Sequence, residues 1–318
     1  MKKVRIGTRG SKLALWQANF IKEKLEKENP EFTFELVIIK TTGDKVLDTA
    51  LSKIGDKGLF TKELEISLLN HETDLAVHSM KDVPTKLSDN LSISAMPERE
   101  YSGDILISNK YESFAALPAG AKVGTSSLRR KSQLCFARKD LDFIDIRGNV
   151  DTRLNKLDKG EYDAIILAYA GIHRLGWSER ITQKLPFSLC LPAVGQGAIG
   201  IESRENDDYI KTLVHKINDL KTYFCVSIER AFLGKLEGGC QIPIGCQANF
   251  EDKLIVNGIA SDIEGTNVLK DSKEYNLLFE DIQAMDNKEL LLKAEEIGNE
   301  LANALLDAGA ADLIKTIR

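Results

Sequence analysis

The sequence predicts an α/β protein with two lobes of similar organisation, followed by a smaller α+β domain. Short apolar runs alternate with helical patterns, the same order repeats after about residue 100, and the character of the chain changes from about residue 220. With 318 residues and a hydrophobic fraction of 43%, the chain can fill two or three cores.

The first lobe begins with the apolar run "VRIG". An amphipathic pattern follows, and then come further apolar and helical segments: "SKLALWQANFIKEKLEKE", "FELVIIK", "FTKELEISLLN" and "DLAVHS". Apolar positions three and four apart indicate helices, whereas short apolar runs indicate strands. The resulting β-α-β-α-β order predicts a parallel-rich sheet.

The second lobe repeats this order with "KVGTSS", "SSLRRKSQLCFAR", "DFIDIR", "VDTRLNKLDKGE" and "DAIILA". The segment "CLPAVGQGAIGIESR" then has the proline and glycines of a hinge that returns to the first lobe. We therefore predict a first lobe formed by residues 1–99 and 195–218 and a second lobe formed by residues 100–194.

The remaining residues, 219–318, predict one helix, a meander of short strands and the amphipathic helix "NKELLLKAEEIGNELANALLDA". We interpret them as a smaller α+β domain. Cys240 is expected on the loop between the first helix and the first strand of this domain.

Composition excludes several classes of function. The net charge of −5 argues against a nucleic-acid partner. No apolar stretch has the length of a signal peptide or a membrane span, which favours a soluble cytoplasmic protein. Five irregularly spaced cysteines and four histidines support neither a disulfide framework nor a metal site.

Two short segments resemble each other. "GTRGS" (residues 7–11) and "GTSSLRR" (residues 124–130) each lie where a predicted strand leads into a helix. Backbone N–H groups at such a helix start bind anions, so the two segments predict two anion sites, one per lobe, facing a shared cleft. The alternative is ordinary helix capping by Ser11 and Ser126.

Arginines fall mostly at predicted strand ends and in first helical turns: Arg9, Arg129, Arg130, Arg147, Arg153 and Arg174. Because a guanidinium holds a carboxylate through two parallel hydrogen bonds, this pattern indicates a ligand with several carboxylates. A solvated surface patch is the alternative. The segment "AVHSMKDVP" places Ser79, Lys81 and Asp82 after an apolar strand, where a carboxylate can exchange protons or bind N–H groups; a plain turn aspartate is the alternative.

Cys240 lies in "LEGGCQIPIG", a composition that predicts a turn rather than a helix or a strand. A buried, inert thiol is one interpretation. Since the two preceding glycines and Pro243 present the sulfur on a flexible loop, covalent attachment of a group is the functional interpretation. The Gly/Asp/Lys-rich residues 43–60 predict a loop that closes over a site, or else a plain exposed loop.

Seven segments in order carry a resemblance to a known family: "GTRGSKLALWQA", "GDKGLFTKELE", "DLAVHSMKDVPT", "VGTSSLRR", "RGNVDTRL", "LPAVGQGAIGIE" and "GGCQIPIG". Together they closely resemble the hydroxymethylbilane synthases, also called porphobilinogen deaminases. The likeness runs from about residue 4 to residue 248 and continues more weakly to the end.

This resemblance implies two lobes like those of periplasmic binding proteins around a cleft, and a dipyrromethane cofactor joined to Cys240 by a thioether. It also implies a cytoplasmic, monomeric transferase of porphyrin and heme biosynthesis. Such an enzyme joins four porphobilinogen molecules head to tail with release of ammonia, and then frees the linear tetrapyrrole by hydrolysis. The competing class is a two-lobed, non-catalytic protein that binds a carboxylate ligand.

The resemblance assigns the catalytic role to Asp82. It assigns cofactor binding to Cys240, Lys81, Asp82, Ser79, Thr125, Ser127, Arg129, Arg130, Arg147 and Gln196, and substrate binding to Arg9, Arg153, Arg174, Lys57 and Phe60. Lys57 and Phe60 would belong to the lid, and the arginines are expected to act on substrate charge with little effect on stability. Gly10, Lys12 and Gly103 depart from the residues that many members have at these positions.

Overall fold

A computed structural model of the chain describes residues 2–45, 58–236 and 243–315. Spatial proximity of the backbone divides the chain into two units, Met1–Glu100 with Ala198–Tyr223 and Tyr101–Gly197 with Phe224–Arg318. The predicted lobe bounds, residues 1–99 with 195–218 and residues 100–194, stay predictions. A third domain that begins near residue 219 stays a prediction.

The strands, in chain order, are β1 (Lys2–Thr8), β2 (Phe32–Ile38), β3 (Leu75–Ser79), β4 (Leu91–Ala95), β5 (Asp104–Ile107), β6 (Lys122–Gly124), β7 (Asp142–Ile144), β8 (Ala164–Ala168), β9 (Gln183–Lys184), β10 (Ile199–Arg204), β11 (Ile244–Phe250), β12 (Leu254–Ser261) and β13 (Val268–Tyr275). The α-helices are α1 (Lys12–Glu28), α2 (Thr42–Lys45), α3 (Lys62–Leu69), α4 (Leu128–Ala137), α5 (Val150–Asp158), α6 (Tyr169–Arg174), α7 (Asp208–His215), α8 (Leu220–Lys235), α9 (Phe279–Gln283), α10 (Asn287–Asp307) and α11 (Ala310–Lys315). Two 3-10 turns span Met80–Asp82 and Ser178–Arg180.

The first unit contains a sheet of strand order β2-β1-β3-β10-β4. Strand β1 pairs in parallel with β2 and β3, as the β-α-β-α-β pattern predicts, whereas β10 runs antiparallel to β3 and β4. Successive side chains of β3 point to opposite faces. Leu75 and Val77 pack with Ile21 of α1, and Ala76 packs with Leu64 of α3, so helices cover both faces.

The second unit contains a sheet of order β7-β6-β8-β5-β9 with the same pattern of strand directions. The predicted internal repeat is therefore confirmed. The prediction of parallel-rich sheets is also confirmed, since four of the five strands in each sheet run in the same direction. The βαβ crossovers impose parallel pairing on β1, β2 and β3 and on β6, β7 and β8, whereas β10 in the first sheet and β5 in the second run antiparallel to both of their neighbours.

A third sheet in the second unit is the predicted antiparallel meander β11-β12-β13. The predicted amphipathic helix is α10, which begins after the capping residue Asp286 and buries Leu290, Ile297 and Leu301. Gly298 permits α10 to approach α8 closely, since a Cβ atom there would lie 2.5 Å from the carbonyl oxygen of Ile228. This part of the chain has the predicted α+β character.

Candidate active site

Strand β3 ends at Ser79, and the 3-10 turn Met80–Asp82 follows directly. The Met80 side chain is buried, its N–H donates to the carbonyl oxygen of Ala198 at 3.1 Å, and its own carbonyl accepts from Val83 at 3.2 Å. Because both ends of the turn are fixed, the sequence holds Asp82 at the carboxyl end of a central strand, where the sequence analysis predicted it.

A pocket in the first unit surrounds this turn. It is lined by Arg9, Ser11, Leu13, Ala14, Gln17, Phe60, Thr61, Val77, His78, Ser79 and Asp82. Within the described parts of the chain, the partly buried carboxylate of Asp82 has neither a hydrogen bond nor an ion pair. An unpartnered carboxylate in a pocket is available to accept N–H groups from a ligand.

Arg9 enters the same pocket from the end of β1. Its Nη2 and Nε atoms donate to Asp44 Oδ1 at 2.5 and 3.2 Å, and its guanidinium carbon lies 4.2 Å from the centre of the Phe60 ring. Burial raises the pKa of Asp44, but the hydrogen bonds and charge of Arg9 outweigh burial and hold that pKa below its usual value. Arg9 therefore carries its positive charge on an aromatic face.

Two hydroxyl groups of the pocket are already hydrogen-bonded. Ser11 caps α1, as one interpretation of "GTRGS" predicts, by accepting from the N–H of Ala14 at 3.3 Å. Ser79 Oγ pairs with the side-chain amide of the buried Gln17, which donates at 2.9 Å. His78 also lines this pocket and is buried, and its Nε2 lies 2.9 Å from Glu202 Oε2.

The second unit contains a buried cluster around Asp104, the first residue of β5. Its carboxylate accepts from Arg129 Nη1 at 2.7 Å and from Arg130 Nε and Nη2 at 3.0 and 2.7 Å. Asp104 is 0% exposed, Arg129 5% and Arg130 6%. Burial acts to raise the pKa of Asp104, yet the two guanidiniums hold it well below its usual value.

Further groups complete this cluster. Gln196 Nε2 donates to Asp104 at 2.9 Å and to the carbonyl oxygen of Ser102 at 2.6 Å. Arg129 also donates to the carbonyl of Leu191 at 2.7 Å. Burial, with the charge of Asp104, raises the pKa of the neighbouring Cys190 thiol to about 12, so Cys190 is a protonated core residue rather than a nucleophile.

The start of α4 differs from the prediction in one residue. Ser127, not Ser126, occupies the capping position, and its hydroxyl accepts from the N–H of Arg130 at 3.4 Å. Ser126 instead bridges to Ile146, donating to its carbonyl at 2.8 Å and accepting from its N–H at 3.0 Å. The capping prediction for Ser126 is therefore wrong, because the helix starts one residue later. Thr125 is buried beside it and accepts from the N–H of Ser127.

The other predicted arginines lie elsewhere in the second unit. Arg174 is buried and donates to the carbonyl oxygen of Gly197 at 2.6 Å, and Arg153 Nε donates to that of Gly148 at 2.8 Å. The partly exposed Arg147 guanidinium precedes the start of α5 and has no ion pair among the described residues. Arg147 thus keeps its charge available to a ligand.

Two predicted residues, Cys240 and Lys57, lie outside the described residues. Lys81 is partly buried on the turn beside Asp82. At the departure Gly103, a Cβ atom would lie 2.4 Å from the Tyr101 ring, so that ring fills the space a side chain would need.

Four residues of these two sites were not predicted from the sequence: Asp44, Gln17, Thr61 and Asp104. An acid at the first position of the apolar run "DILI" was the available signal for Asp104. A carboxylate at such a position is buried and needs a positive partner.

None of the helices within the described ranges combines the length and hydropathy that a membrane crossing requires. Across the same ranges, no three His, Cys, Asp or Glu side chains are grouped so as to hold a metal ion.

The solved structures that partly match this chain are distant in sequence. The methionine-binding protein MetQ is 14% identical over 70% of this chain and 92% of its own, with a TM-score of 0.44. A nutrient-binding protein from Burkholderia cenocepacia bound to methionine is 14% identical over 66% and 90%, with a TM-score of 0.42. Likenesses of this size carry no functional inference.

Sequence relatives are far closer. The family described as "Porphobilinogen deaminase, dipyromethane cofactor binding domain" matches residues 4–212, and "Porphobilinogen deaminase, C-terminal domain" matches residues 223–307. Porphobilinogen deaminases from Carboxydothermus hydrogenoformans and Desulforudis audaxviator are 49% and 47% identical over all of this chain and 98% of their own lengths. The chain therefore belongs to the porphobilinogen deaminase family.

Proposed function

We propose that this chain joins four porphobilinogen molecules head to tail, with Asp82 as the catalytic carboxylate and Cys240 as the attachment point of a dipyrromethane cofactor. The observation that carries the proposal is the Asp82 carboxylate, which lines a pocket of the first unit and has no partner among the described residues. A carboxylate spared from internal pairing is suited to act on a ligand.

The residues of this pocket fit a dipyrromethane. Pyrroles present N–H donors and side-chain carboxylates, and the pocket offers a free acceptor in Asp82, a cation in Arg9 and the Ser79–Gln17 pair. When bound, the cofactor supplies the pyrrole carbon to which porphobilinogen is added. The residues that would hold the cofactor are those that the resemblance assigns to it: Cys240, Lys81, Asp82, Ser79, Thr125, Ser127, Arg129, Arg130, Arg147 and Gln196.

Asp82 would act by electrostatics and by proton transfer. As the amine of porphobilinogen leaves, positive charge develops in conjugation with the substrate's pyrrole nitrogen. A carboxylate that accepts a hydrogen bond from the pyrrole N–H stabilises this transition state more than it stabilises the ground state, and so it lowers the barrier. The same carboxylate can assist proton transfer to the departing amine.

Arginines would bind the acetate and propionate groups of the substrate. We assign this role to Arg9, Arg153 and Arg174, with Lys57 and Phe60 in the lid. In the first unit the Arg9 guanidinium and the Phe60 ring are in contact, which supports a joint role for these two residues. Charge-assisted hydrogen bonds of this kind are about twice as strong as neutral ones.

Cytoplasmic location, a monomeric state and the absence of a nucleic-acid partner stay predictions from the sequence. Sedimentation of the purified protein tests the monomer directly. The carboxylate-binding alternative gives no reason for the Gly-Gly-Cys segment at residues 238–240, and membership of the family does not favour it.

Intact mass tests the proposal. We expect the purified protein to exceed its sequence mass by one dipyrromethane, with the added mass on the peptide that contains Cys240. Cys240→Ser should remove both the added mass and the turnover, because a hydroxyl is a much weaker nucleophile than a thiolate.

Cys135→Ser is a matched control, since Cys135 is a partly exposed free thiol in α4. It should keep the adduct and the activity. An active parent protein of unmodified mass would rule out the assignment of Cys240.

A further inference from the structure

We propose that the hydroxyl of Thr61 donates a hydrogen bond to a side-chain carboxylate of the pyrrole bound in the Asp82 pocket. This inference rests on the proposed function, and it adds a ligand contact to the same pocket. Thr61 precedes α3 and is 1% exposed.

The backbone of Thr61 is fully engaged, whereas its hydroxyl is not. The N–H donates to the carbonyl oxygen of Gly58 at 3.0 Å, and the carbonyl accepts from the N–H of Glu65 at 2.9 Å. The Oγ1 atom is buried and has no hydrogen-bond partner among the described residues.

A threonine before a helix ordinarily caps that helix with its side chain. Thr61 makes no such bond, and its φ of −119° and ψ of −30° are helical rather than extended. Burying an unbonded hydroxyl is unfavourable, and a valine of the same shape would avoid that penalty. The unbonded hydroxyl thus lowers the stability of the unliganded protein. A ligand that accepts a hydrogen bond from this hydroxyl offsets that loss.

The surrounding groups indicate which ligand atom the hydroxyl meets. Arg9 and Ser79 in the same pocket have internal partners, and Asp82 can only accept hydrogen bonds. The hydroxyl of Ser11 accepts from the N–H of Ala14, so the hydroxyl of Thr61 is the one in this pocket with no hydrogen bond among the described residues. A pyrrole with carboxylate side chains offers N–H groups for Asp82 and carboxylate oxygens for Thr61.

Steady-state ammonia release and thermal unfolding of Thr61→Val test the proposal, with Thr61→Ser as the rescue variant. Thr61→Val should raise KM for porphobilinogen about three- to tenfold, the loss typical of one neutral hydrogen bond, and leave kcat within about twofold. Its Tm should stay unchanged or rise. Thr61→Ser should keep the KM of the parent within about twofold.

Thr73→Val is the matched control. Thr73 is fully buried, but its hydroxyl is paired with Ser67 Oγ at 3.0 Å. This variant should lower Tm and leave KM unchanged. If Thr61→Val instead lowers Tm without raising KM, the hydroxyl is structural and the proposal is wrong; a parent protein that releases no ammonia would instead refute the proposed function.

Competitive binding of two substrate analogues identifies the carboxylate. In one analogue a methyl group replaces the carboxyl group of the acetate, and in the other a methyl group replaces the carboxyl group of the propionate. The analogue that lacks the contacted carboxylate should bind the parent and Thr61→Val with equal affinity. The other analogue should still bind the parent more tightly than Thr61→Val. If both analogues retain the full difference, Thr61 does not contact a carboxylate and the proposal fails.

Discussion

The Asp82 pocket of the first unit and the Asp104 cluster of the second unit both contain residues from similar sequence segments. In each, a Gly-Thr pair ends a strand, a serine caps the next helix, and arginine and aspartate are close by. Asp82 nevertheless has no partner among the described residues, whereas Asp104 binds two buried guanidiniums. Burial and neighbouring charges, rather than the local motif, decide whether a carboxylate is available to a ligand.

Arg129 and Arg130 therefore have a structural role that the sequence analysis did not expect. Removing one partner from a buried ion pair leaves a charge without compensation, which is strongly destabilising. The cluster of two guanidiniums and one carboxylate keeps one net positive charge, so binding of an anion and support of the fold are compatible there.

The largest expected effect on stability is that of Asp104→Asn. This change leaves two buried guanidiniums without their carboxylate, and we expect the free energy of unfolding to fall by about 3–5 kcal/mol. Urea unfolding measures it. Asp140→Asn, which breaks an exposed pair with Arg138, should change stability little. Equal losses for the two variants would contradict the structural role of Asp104.

A pair of arginine variants separates the two roles. Arg130→Leu should lower the free energy of unfolding by about 1.5–3 kcal/mol, since it removes hydrogen bonds to a buried carboxylate. Arg147→Leu should leave unfolding unchanged but raise KM for porphobilinogen, because Arg147 has no ion pair among the described residues. If Arg147→Leu lowers the free energy of unfolding, or if Arg130→Leu does not, the structural role of Arg130 and the ligand-binding role of Arg147 are wrongly assigned.

The stability difference between the parent and Asp104→Asn should also depend on pH. The folded pKa of Asp104 lies below its unfolded value of about 3.9, so its contribution is complete above that pH and is lost as pH falls through the lower folded value. Urea unfolding of both proteins from pH 7 to pH 3 measures this difference in unfolding free energy. The difference should stay constant over most of that range and become smaller only near pH 3. A difference that shrinks between pH 7 and pH 5 would contradict the lowered pKa.

The smallest expected effect is on the two helix caps. Ser11→Ala and Ser127→Ala should each cost about 1 kcal/mol of unfolding free energy, because each removes one side-chain acceptor from a helix N-terminus. Similar values would show that the two segments differ in their charges and not in their caps. If either serine variant leaves the unfolding free energy unchanged, the two helix caps are not equivalent.

Local patterns in the sequence predicted much of the fold. Apolar spacing placed α1, α3, α4 and α10 in the right segments, and the repeated order anticipated two sheets whose βαβ-connected strands lie in the same order, β2-β1-β3 and β7-β6-β8. The antiparallel strands β5 and β10 were not anticipated as such, since pairing with distant strands leaves no signature in the local pattern.

The candidate site was predicted unevenly for the same reason. Asp82 follows a strand directly, so its place was readable from "AVHSMKDVP". The pairing of Asp104 with Arg129 joins residues 25 positions apart and depends on the tertiary fold. Nothing in the sequence distinguishes Thr61 from an ordinary helix-capping residue, and only its observed geometry shows the unbonded hydroxyl.

Single-turnover ammonia release by Asp82→Asn, measured beside urea unfolding and intact mass, tests the central claim most directly. Asparagine keeps the shape but loses the charge, so we expect a folded protein that carries its cofactor, with unchanged stability and turnover lower by about two orders of magnitude or more. Asp82→Glu should retain slightly more activity, since it keeps the charge. If Asp82→Asn, folded and with its cofactor attached, releases ammonia at close to the parent rate, Asp82 is not the catalytic carboxylate.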